Sequence, residues 1–318
     1  MEHPVDQSLL VEVARLYYDH QMSQQQIAER IGTSRPSISR LLQQARDEGI
    51  VRIEIIDPTQ RGRRIEHAIK EKFGLKKVII VPSDRDSVDE TKRRLGQAAA
   101  RYLNETVFDH CILGVSWGTT MRQTVRHLIP KPVQNMRVVQ VVGGITQAEF
   151  DPHASEIAQK FGENFNARSS FLLLPAIVDS PELMQAMISD TRIRETLELM
   201  RKANIVVCSV GTFRADSLLI QSGYFNEQEV SYLKKAGAVG DICSRMITGD
   251  GSPCWPELDA RTVAIEFSDL KNASYAIAVA GGDEKREVIL AGLLGGYFNV
   301  LITDEQVAEY LNTVDIQK

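Results

Sequence analysis

Residues 22–48 carry the signals of two short helices that are joined by a tight turn. Ser23 opens a Ser-x-x-Gln capping box, in which side chain and backbone cap each other at the start of a helix. Gly32 can end that helix, and Ser34 then caps a second one that has Pro36 in its first turn. A pair of helices separated by a glycine-bearing turn is the helix-turn-helix arrangement.

The second helix of this pair has one apolar face and one polar face. Ile38 and Leu42 lie inward at helical spacing, so the polar side chains between them point outward. An outwardly polar second helix is how such units insert side chains into the major groove of DNA. We therefore predict that the DNA contacts come from Ser23, Gln24, Ser34, Arg35, Pro36, Ser37, Ser39 and Arg40. An ordinary helical hairpin is the alternative, but it would seldom combine these caps with the run Ser-Arg-Pro-Ser-Ile-Ser-Arg.

The charge balance bears on how such a unit would bind. A net charge of −5 argues against a protein that coats nucleic acid non-specifically. A sequence-specific protein needs only a local basic face, which Arg35 and Arg40 can provide. Because one recognition helix with few positive charges makes a small contact, we expect affinity to depend on doubling the contacts in a dimer.

The chain length predicts two domains, because 318 residues exceed what one hydrophobic core usually serves. Alternating apolar residues over 51–56 predict a strand that forms a small wing after the two helices. The following run Asp-Pro-Thr-Gln-Arg-Gly then breaks the pattern. We predict a winged helix-turn-helix DNA-binding domain over residues 1–57 and a second domain over residues 58–318.

The second domain alternates between apolar runs and helical stretches. Strands are predicted at residues 77–81, 111–115, 137–142, 171–174, 205–210 and 276–280. Helices are predicted at residues 91–105 and 119–128, from residue 155 onward, and near residues 181 and 192. Near-continuously apolar strands separated by helices are typical of a doubly wound α/β domain with a mainly parallel sheet.

Small and polar residues follow several of these strands, at the edge where a parallel sheet places its ligand crevice. In the segment Leu-Gly-Val-Ser-Trp-Gly-Thr-Thr, residues 113–120, glycines allow close approach, hydroxyls can donate, and a helix N-terminus favours phosphate. The candidate effector-binding residues at the strand ends are Gly114, Ser116, Gly118, Thr119, Thr120, Gly143, Gly144, Gln147, Gly211, Thr212, Arg214, Asp241, Gly281 and Lys285. One such glycine loop would indicate only a tight turn, but several at successive strand ends predict a phosphorylated-sugar pocket.

Other kinds of site find little support. The four cysteines, Cys111, Cys208, Cys243 and Cys254, form no Cys-x-x-Cys pair and have no histidine at ligand spacing. Reduced thiols are therefore expected rather than a zinc site or disulfides, and we predict neither a metal nor a cofactor. The dinucleotide and P-loop fingerprints are both missing, which argues against dinucleotides and nucleoside triphosphates as ligands.

The location of the protein is predicted from two further patterns. The first residues lack the basic-then-apolar order of a secretory signal. The longest apolar stretch, residues 289–302, is interrupted by glycines and is shorter than the roughly 20 residues that span a bilayer. We therefore expect a cytoplasmic protein with no membrane partner.

Taken together, these segments resemble the SorC family of transcriptional regulators along almost the whole chain. The resemblance is carried by residues 15–18, 23–28 and 34–42 in the first domain and by residues 114–121, 238–245 and 279–282 in the second. It implies a regulator of a carbohydrate or nucleoside catabolic operon. It also implies a C-terminal domain similar to sugar-phosphate isomerases, which senses phosphorylated sugars and forms dimers or tetramers on operator DNA.

The resemblance further implies roles for individual residues. Thr119 and Thr120 should hold a phosphate, and the positions of Arg214, Asp241 and Lys285 should contact the effector. One departure stands at Val142, where a member of the family carries a lysine that forms a Schiff base with deoxyribose 5-phosphate. Because valine has no amine, we predict a pentose, deoxypentose or hexose phosphate that binds without a covalent bond.

An enzyme is the main alternative, as a sugar-phosphate isomerase or deaminase with a DNA-binding appendage. Such an enzyme needs a carboxylate or histidine base beside the substrate carbon. Asp241 could serve, but His127 and His153 have no acid partner at motif spacing, so we predict no catalytic residues and no enzyme. A scaffold without a ligand is a third possibility, which fits poorly with the repeated glycine and hydroxyl loops.

Overall fold

The computed structural model describes residues 7–51, 58–84, 87–145 and 154–316. The chain divides into two compact units, Met1–Pro58 and Thr59–Lys318. Residues 52–56 of the predicted wing strand, and the residues Gln147 and His153 discussed above, lie outside the described residues.

The first unit is built from three helices, α1 (Gln7–Tyr18), α2 (Gln24–Ile31) and α3 (Arg35–Asp47). The predicted capping box is confirmed: the Ser23 amide donates to Gln26 Oε1 at 2.9 Å, and the Ser23 hydroxyl accepts from the Gln26 amide at 3.3 Å. Gly32 ends α2 in the left-handed conformation, at φ 75°. The helices bury a shared apolar cluster that consists of Val13, Leu16, Ile27, Ala28, Ile38 and Leu42.

The second unit alternates helices and strands. Its helices are α4 (Pro58–Phe73), α5 (Val88–Thr106), α6 (Thr119–Arg126), α7 (Ala154–Phe165), α8 (Pro181–Ser189), α9 (Thr191–Arg201), α10 (Leu218–Gln221), α11 (Glu227–Lys235), α12 (Pro256–Asp259), α13 (Phe267–Asn272), α14 (Arg286–Leu294) and α15 (Glu305–Thr313). Its strands are β1 (Lys77–Val81), β2 (Ile112–Val115), β3 (Arg137–Gln140), β4 (Arg168–Ser170), β5 (Ile205–Cys208), β6 (Val210–Thr212), β7 (Ala238–Ile242), β8 (Arg245–Thr248), β9 (Tyr275–Val279) and β10 (Val300–Asp304).

Seven of these strands form one sheet in the order β1-β10-β9-β5-β2-β3-β4, and every neighbouring pair is parallel. Successive residues of β5 face opposite apolar clusters: Ile205 and Val207 belong to one, and Val206 and Cys208 to the other. A sheet covered on both faces needs strands that are apolar throughout, which explains the continuous runs in the sequence. The predicted α/β class with a mainly parallel sheet is confirmed.

A second, three-stranded antiparallel sheet has the order β6-β7-β8. It corrects the predicted strand over residues 205–210, because the chain leaves the parallel sheet after Cys208 and Val210 begins β6. Neither the hairpin of β7 and β8 nor strand β10 was predicted from the residue pattern. The hairpin carries Arg245, which is 2% exposed and donates to the carbonyl oxygens of Ile265 and Ala264.

The predicted strand over residues 171–174 is wrong. The edge strand β4 ends at Ser170, since its neighbour β3 ends at Gln140. Beyond that point the side chain of Gln140 replaces a backbone partner: it accepts from the Leu172 amide at 3.4 Å and donates to the Leu172 carbonyl oxygen at 3.3 Å. Leu173, the next residue, is 79% exposed.

Two further properties concern the described residues only. All four cysteines are buried and free of disulfide bonds. Within the described ranges, no helix has the length and apolar character needed to cross a bilayer.

Candidate functional site

A cavity of about 320 Å³ lies at the carboxyl ends of β2 and β5, where the antiparallel sheet meets the parallel one. It is lined by Lys92, Ser116, Trp117, Gly118, Thr119, Thr120, Val142, Ser209, Val210, Gly211, Thr212, Asp216, Ser217, Leu218, Leu219, Asp241, Cys243, Ser244, Glu284 and Lys285. These residues come from six separate stretches of the second unit, so the site exists only in the folded chain.

The turn from β2 into α6 forms one wall of the cavity. Gly118 stands at the N-cap of α6 with φ 124°, a conformation that side chains rarely adopt. Because glycine offers no capping side chain, no side chain caps the first amides of α6. These amides and the helix dipole favour an anion beside Thr119 and Thr120.

Two lysines bring positive charge to the cavity. Lys285 has no hydrogen-bond or ion-pair partner for its side chain within the described part of the chain. Its pKa is lowered, mainly because burial penalises the charged ammonium and in part because Lys92 is nearby. Among the described residues, Lys92 makes only a long contact to the exposed Asp89, with 3.9 Å between Nζ and Oδ1. Both ammonium groups would gain from an anionic ligand.

Asp241 and Glu284 are the acidic groups whose charge acts on Lys285. Burial raises the pKa of Asp241 to about 6, while a hydrogen bond from the Ser244 amide and the charge of Lys285 act in the opposite direction. That amide lies 2.9 Å from Asp241 Oδ2. A carboxyl group placed in this way can accept from the hydroxyls of a sugar.

The cavity also collects hydroxyls that lack partners. Six buried side-chain polar atoms have no hydrogen-bond partner among the described residues, and four of them are serine hydroxyls of the cavity wall. These are the hydroxyls of Ser116, Ser209, Ser217 and Ser244. A buried polar group without a partner costs free energy, so this concentration points to a polar ligand. Clusters of histidine, cysteine, aspartate or glutamate that could hold a metal are not found among the described residues.

The structure brings together eight of the predicted effector-binding residues. Those that line the cavity are Ser116, Gly118, Thr119, Thr120, Gly211, Thr212, Asp241 and Lys285. Gly211 stands opposite Asp241 in the antiparallel sheet, and a Cβ atom on Gly211 would overlap with Asp241 Oδ1. The glycine therefore leaves room for the carboxyl group.

The other described candidates stand apart from the cavity wall. Gly114 lies inside the parallel sheet, where a Cβ atom would come 2.5 Å from Val141 Cγ1. Gly143 and Gly144 belong to the loop after β3, where the Gly143 carbonyl oxygen accepts from the indole nitrogen of Trp117. Gly281 packs closely on the carboxyl group of Asp304. The side chain of Arg214 is 59% exposed and pairs with Asp216 at 3.1 Å.

The helix-turn-helix residues occupy the surface of the first unit. Arg35 and Arg40 are exposed, and neither side chain has a partner among the described residues. Ser39 and Pro36 are also exposed, whereas Gln24 and Ser37 are half-buried. Ser23 and Ser34 cap α2 and α3, and the hydroxyl oxygens of Ser34 and Ser37 lie 2.8 Å apart.

Comparison with known proteins supports both halves of this description. Residues 57–312 match the family model described as "Putative sugar-binding domain", and residues 8–60 match a Crp-like helix-turn-helix domain. The deoxyribonucleoside regulator of Bacillus subtilis is 40% identical over 305 residues, which are 96% of this chain and 97% of that protein. The sorbitol operon regulator of Klebsiella pneumoniae is 30% identical over 314 residues, with 98% and 99% of the two chains covered. The chain belongs to the SorC family of transcriptional regulators.

Solved structures agree. The crystal structure of full-length SorC from Klebsiella pneumoniae aligns with a TM-score of 0.74 at 29% identity, and covers 98% of this chain and 100% of that one. A domain described as part of a "possible sugar-binding transcriptional regulator" from Arthrobacter aurescens aligns with a TM-score of 0.73 at 28% identity, over 79% and 98% of the two chains. This SorC-family protein is therefore a DNA-binding regulator with a domain for a sugar-type effector, rather than an enzyme.

Sequence reasoning missed several residues that line the cavity of this SorC-family chain. Lys92 lies on α5, where no motif marks it, and reaches the cavity because α5 packs closely on α6. Gly96 permits that packing, since a Cβ atom there would lie 2.6 Å from the backbone carbon of Gln123. Ser209, Ser217, Ser244 and Glu284 were also missed, although Ser209 directly follows an apolar strand, which is a usable signal.

Proposed function

We propose that this protein regulates a carbohydrate or nucleoside catabolic operon in response to a phosphorylated sugar that binds in the cavity without a covalent bond. The observation that carries the proposal is the coincidence, at one cavity, of an uncapped helix N-terminus, two lysines and unpartnered hydroxyls. The names of the relatives, which regulate deoxyribonucleoside and sorbitol functions, support this class of operon.

The phosphate would lie at the N-terminus of α6. Its oxygens can accept from the first amides of the helix and from the hydroxyls of Thr119 and Thr120. Lys92 and Lys285 would neutralise its charge, and the phosphate would join the carboxyl groups of Glu284 and Asp241 as an anion near the Lys285 ammonium. A sugar without a phosphate would leave these groups unsatisfied, so we expect it to bind far more weakly.

The sugar would extend toward the antiparallel sheet. Asp241 can accept from sugar hydroxyls, and the serine hydroxyls of residues 209, 217 and 244 can donate or accept as the sugar requires. Val142, a buried residue, lines the same cavity and offers no amine. This supports reversible binding of a pentose, deoxypentose or hexose phosphate rather than Schiff-base capture at that position.

The DNA-binding half of the proposal rests on the exposed face of α3. Arg35, Ser39 and Arg40 are exposed there and would contact bases and phosphates of operator DNA. A homodimer would present this face twice and a homotetramer four times, and a palindromic operator requires at least two copies. We propose that the regulator acts in the cytoplasm, where its sugar phosphate and its operator both occur.

Calorimetry with a panel of sugars tests the effector. We would titrate deoxyribose 5-phosphate, ribose 5-phosphate and glucose 6-phosphate, with the unphosphorylated sugars as controls. At least one phosphate should bind reversibly and leave the intact mass unchanged after borohydride treatment. Replacing both Thr119 and Lys285 by alanine should abolish this binding, while Thr196→Ala with Lys202→Ala, a matched pair on α9 and at its C-cap, should not affect it.

Three results would contradict the proposal. Equal binding of phosphorylated and unphosphorylated sugars would show that the site does not recognise the phosphate. Unchanged affinity in the Thr119→Ala, Lys285→Ala protein would place the ligand elsewhere. Turnover of a sugar phosphate would favour the enzyme alternative, in which Asp241 acts as a base.

A further inference from the structure

We infer that Asp304 is a positioning residue for the effector cavity: it holds the loop that carries Lys285. Asp304 lies at the end of β10, outside the cavity wall, and is fully buried. The inference rests on the proposed function in one respect only, namely that Lys285 contacts the effector.

Both carboxylate oxygens of Asp304 accept hydrogen bonds, but from different parts of the chain. Oδ1 accepts from the amides of Gln306 and Val307, at 2.9 and 3.1 Å, and from the Ser83 hydroxyl at 3.1 Å. Oδ2 accepts from the Gly282 amide at 2.5 Å. One oxygen therefore caps α15, and the other holds the loop that follows β9.

This loop leads directly to the cavity. The amide of Lys285 donates to the carbonyl oxygen of Gly282 at 2.9 Å and closes the short 3₁₀ turn over residues 283–285. The backbone of Gly282 is thus held by two hydrogen bonds. Its amide donates to Asp304, and its carbonyl oxygen accepts from the amide of Lys285. A shift of Gly282 would move the backbone from which the Lys285 side chain enters the cavity.

The close approach of Asp304 explains Gly281, and the backbone conformation explains Gly282. A Cβ atom on Gly281 would overlap with Asp304 Oδ2, and Gly282 has φ 97°, in the left-handed region. Capping α15 needs only one oxygen, which an asparagine could supply. The second oxygen has no role in the cap, and its partner is the loop.

The substitution Asp304→Asn separates the two contacts. Asparagine has one carbonyl oxygen and one amide, and an amide cannot accept from the Gly282 N–H. If the carbonyl oxygen keeps capping α15, the loop contact is lost. We expect effector affinity to fall by about tenfold, as for the loss of one charge-assisted hydrogen bond. The probe is whichever of the three sugar phosphates above binds the parent protein.

Asp190→Asn is the matched control. Asp190 is also an aspartate N-cap, which accepts from the amides of Arg192 and Ile193 at 2.9 and 3.0 Å. It holds no loop of the cavity, so its replacement should leave effector affinity unchanged. Operator affinity without effector should be the same in both variants.

A double-mutant cycle with Lys285→Ala tests whether Asp304 affects effector binding through Lys285. If Asp304 acts through Lys285, Asp304→Asn should weaken binding in the parent protein and have no further effect in the Lys285→Ala protein. Equal effects in both backgrounds would overturn the inference. Should Asp304→Asn fail to fold, Gly281→Ala displaces the same contact from the other side and takes its place in the cycle.

Hydrogen exchange gives a readout that needs no ligand. Amides of residues 280–286 should exchange faster in Asp304→Asn than in Asp190→Asn. Unchanged exchange would overturn the inference even if a sugar phosphate binds. If no sugar phosphate binds the parent protein, the proposed function fails, and the exchange rates still decide whether Asp304 holds the loop.

Discussion

The indole nitrogen of Trp117 donates a 2.7 Å hydrogen bond to the carbonyl oxygen of Gly143. This contact joins the loop after β2 to the loop after β3. Gly143 is held in turn by its own amide, which donates to the Val263 carbonyl oxygen at 2.8 Å, and a Cβ atom on Gly143 would overlap with the backbone of Pro175. The loop after β3 therefore stabilises the position of Trp117, which lines the cavity.

Trp117→Phe should lower the free energy of unfolding by about 1–3 kcal/mol, because the buried Gly143 carbonyl loses its side-chain donor. Urea denaturation followed by circular dichroism measures this change. Trp255→Phe is the control, since Trp255 contacts Tyr232 and Arg261 through its ring. Equal costs for the two substitutions would show that the hydrogen bond to Gly143 has no special weight.

Gly211→Ala should weaken effector binding by at least about tenfold, because the new methyl group would displace the Asp241 carboxyl that accepts from the sugar. Operator binding without effector should stay unchanged. Gly249→Ala is the matched control: the nearest atom to its new methyl group would be Val239 Cγ1, at 3.8 Å. Calorimetry on both variants checks the prediction, and parent-like affinity in Gly211→Ala would contradict it.

Asp241 should make the stability of the protein depend on pH. Its pKa is raised from 3.8 in the unfolded chain to about 6 in the folded one, chiefly by burial. The folded protein therefore binds the proton more tightly, and stability should fall as the pH rises from about 4 to 6 and then level off. The loss is at most about 3 kcal/mol, because one pKa unit corresponds to about 1.36 kcal/mol and solvent screening reduces the effect.

Asp241→Asn should remove this contribution. The difference in unfolding free energy between the parent and Asp241→Asn, measured at several pH values, should therefore shift in favour of the variant between pH 4 and 6. A difference that stays constant over this range would show that the Asp241 pKa is not raised.

Arg40→Ala should weaken operator binding and reduce its sequence preference, by about 1–3 kcal/mol if the arginine reads a base. Arg40 is exposed on α3 and has no partner among the described residues. Arg15→Ala, an exposed arginine on α1, serves as the control. Binding to operator and unrelated DNA at fixed salt is the measurement. If Arg40→Ala has unchanged operator affinity and unchanged sequence preference, Arg40 does not contact the operator.

The protein should sediment as a homodimer or homotetramer and bind a roughly palindromic operator. One recognition helix makes too small a contact for tight specific binding, and twofold symmetry doubles it. Analytical ultracentrifugation with and without operator DNA measures the assembly. A monomer in both conditions would contradict the prediction.

Local signals account for the parts that sequence reasoning predicted well. The capping box at Ser23 and the left-handed turn at Gly32 depend on residues within a few positions of each other, and the structure contains both. The apolar run of β5 was recognisable because a strand buried on both faces has no polar alternation. The prediction of a strand over residues 171–174 was wrong because a strand needs the backbone of a neighbouring strand as its hydrogen-bond partner. At Leu172 the side chain of Gln140 takes the place of that backbone.

Local residue patterns were therefore sufficient to predict the helix-turn-helix unit, the parallel α/β sheet and the glycine and hydroxyl loops at strand ends, since each is encoded over a short stretch of chain. Which loops share a cavity became known only from the packed fold. It placed Gly281 against Asp304 and brought in Lys92 from α5. Such contacts join residues that are far apart in the chain, and their geometry depends on packing between elements, which no local pattern records.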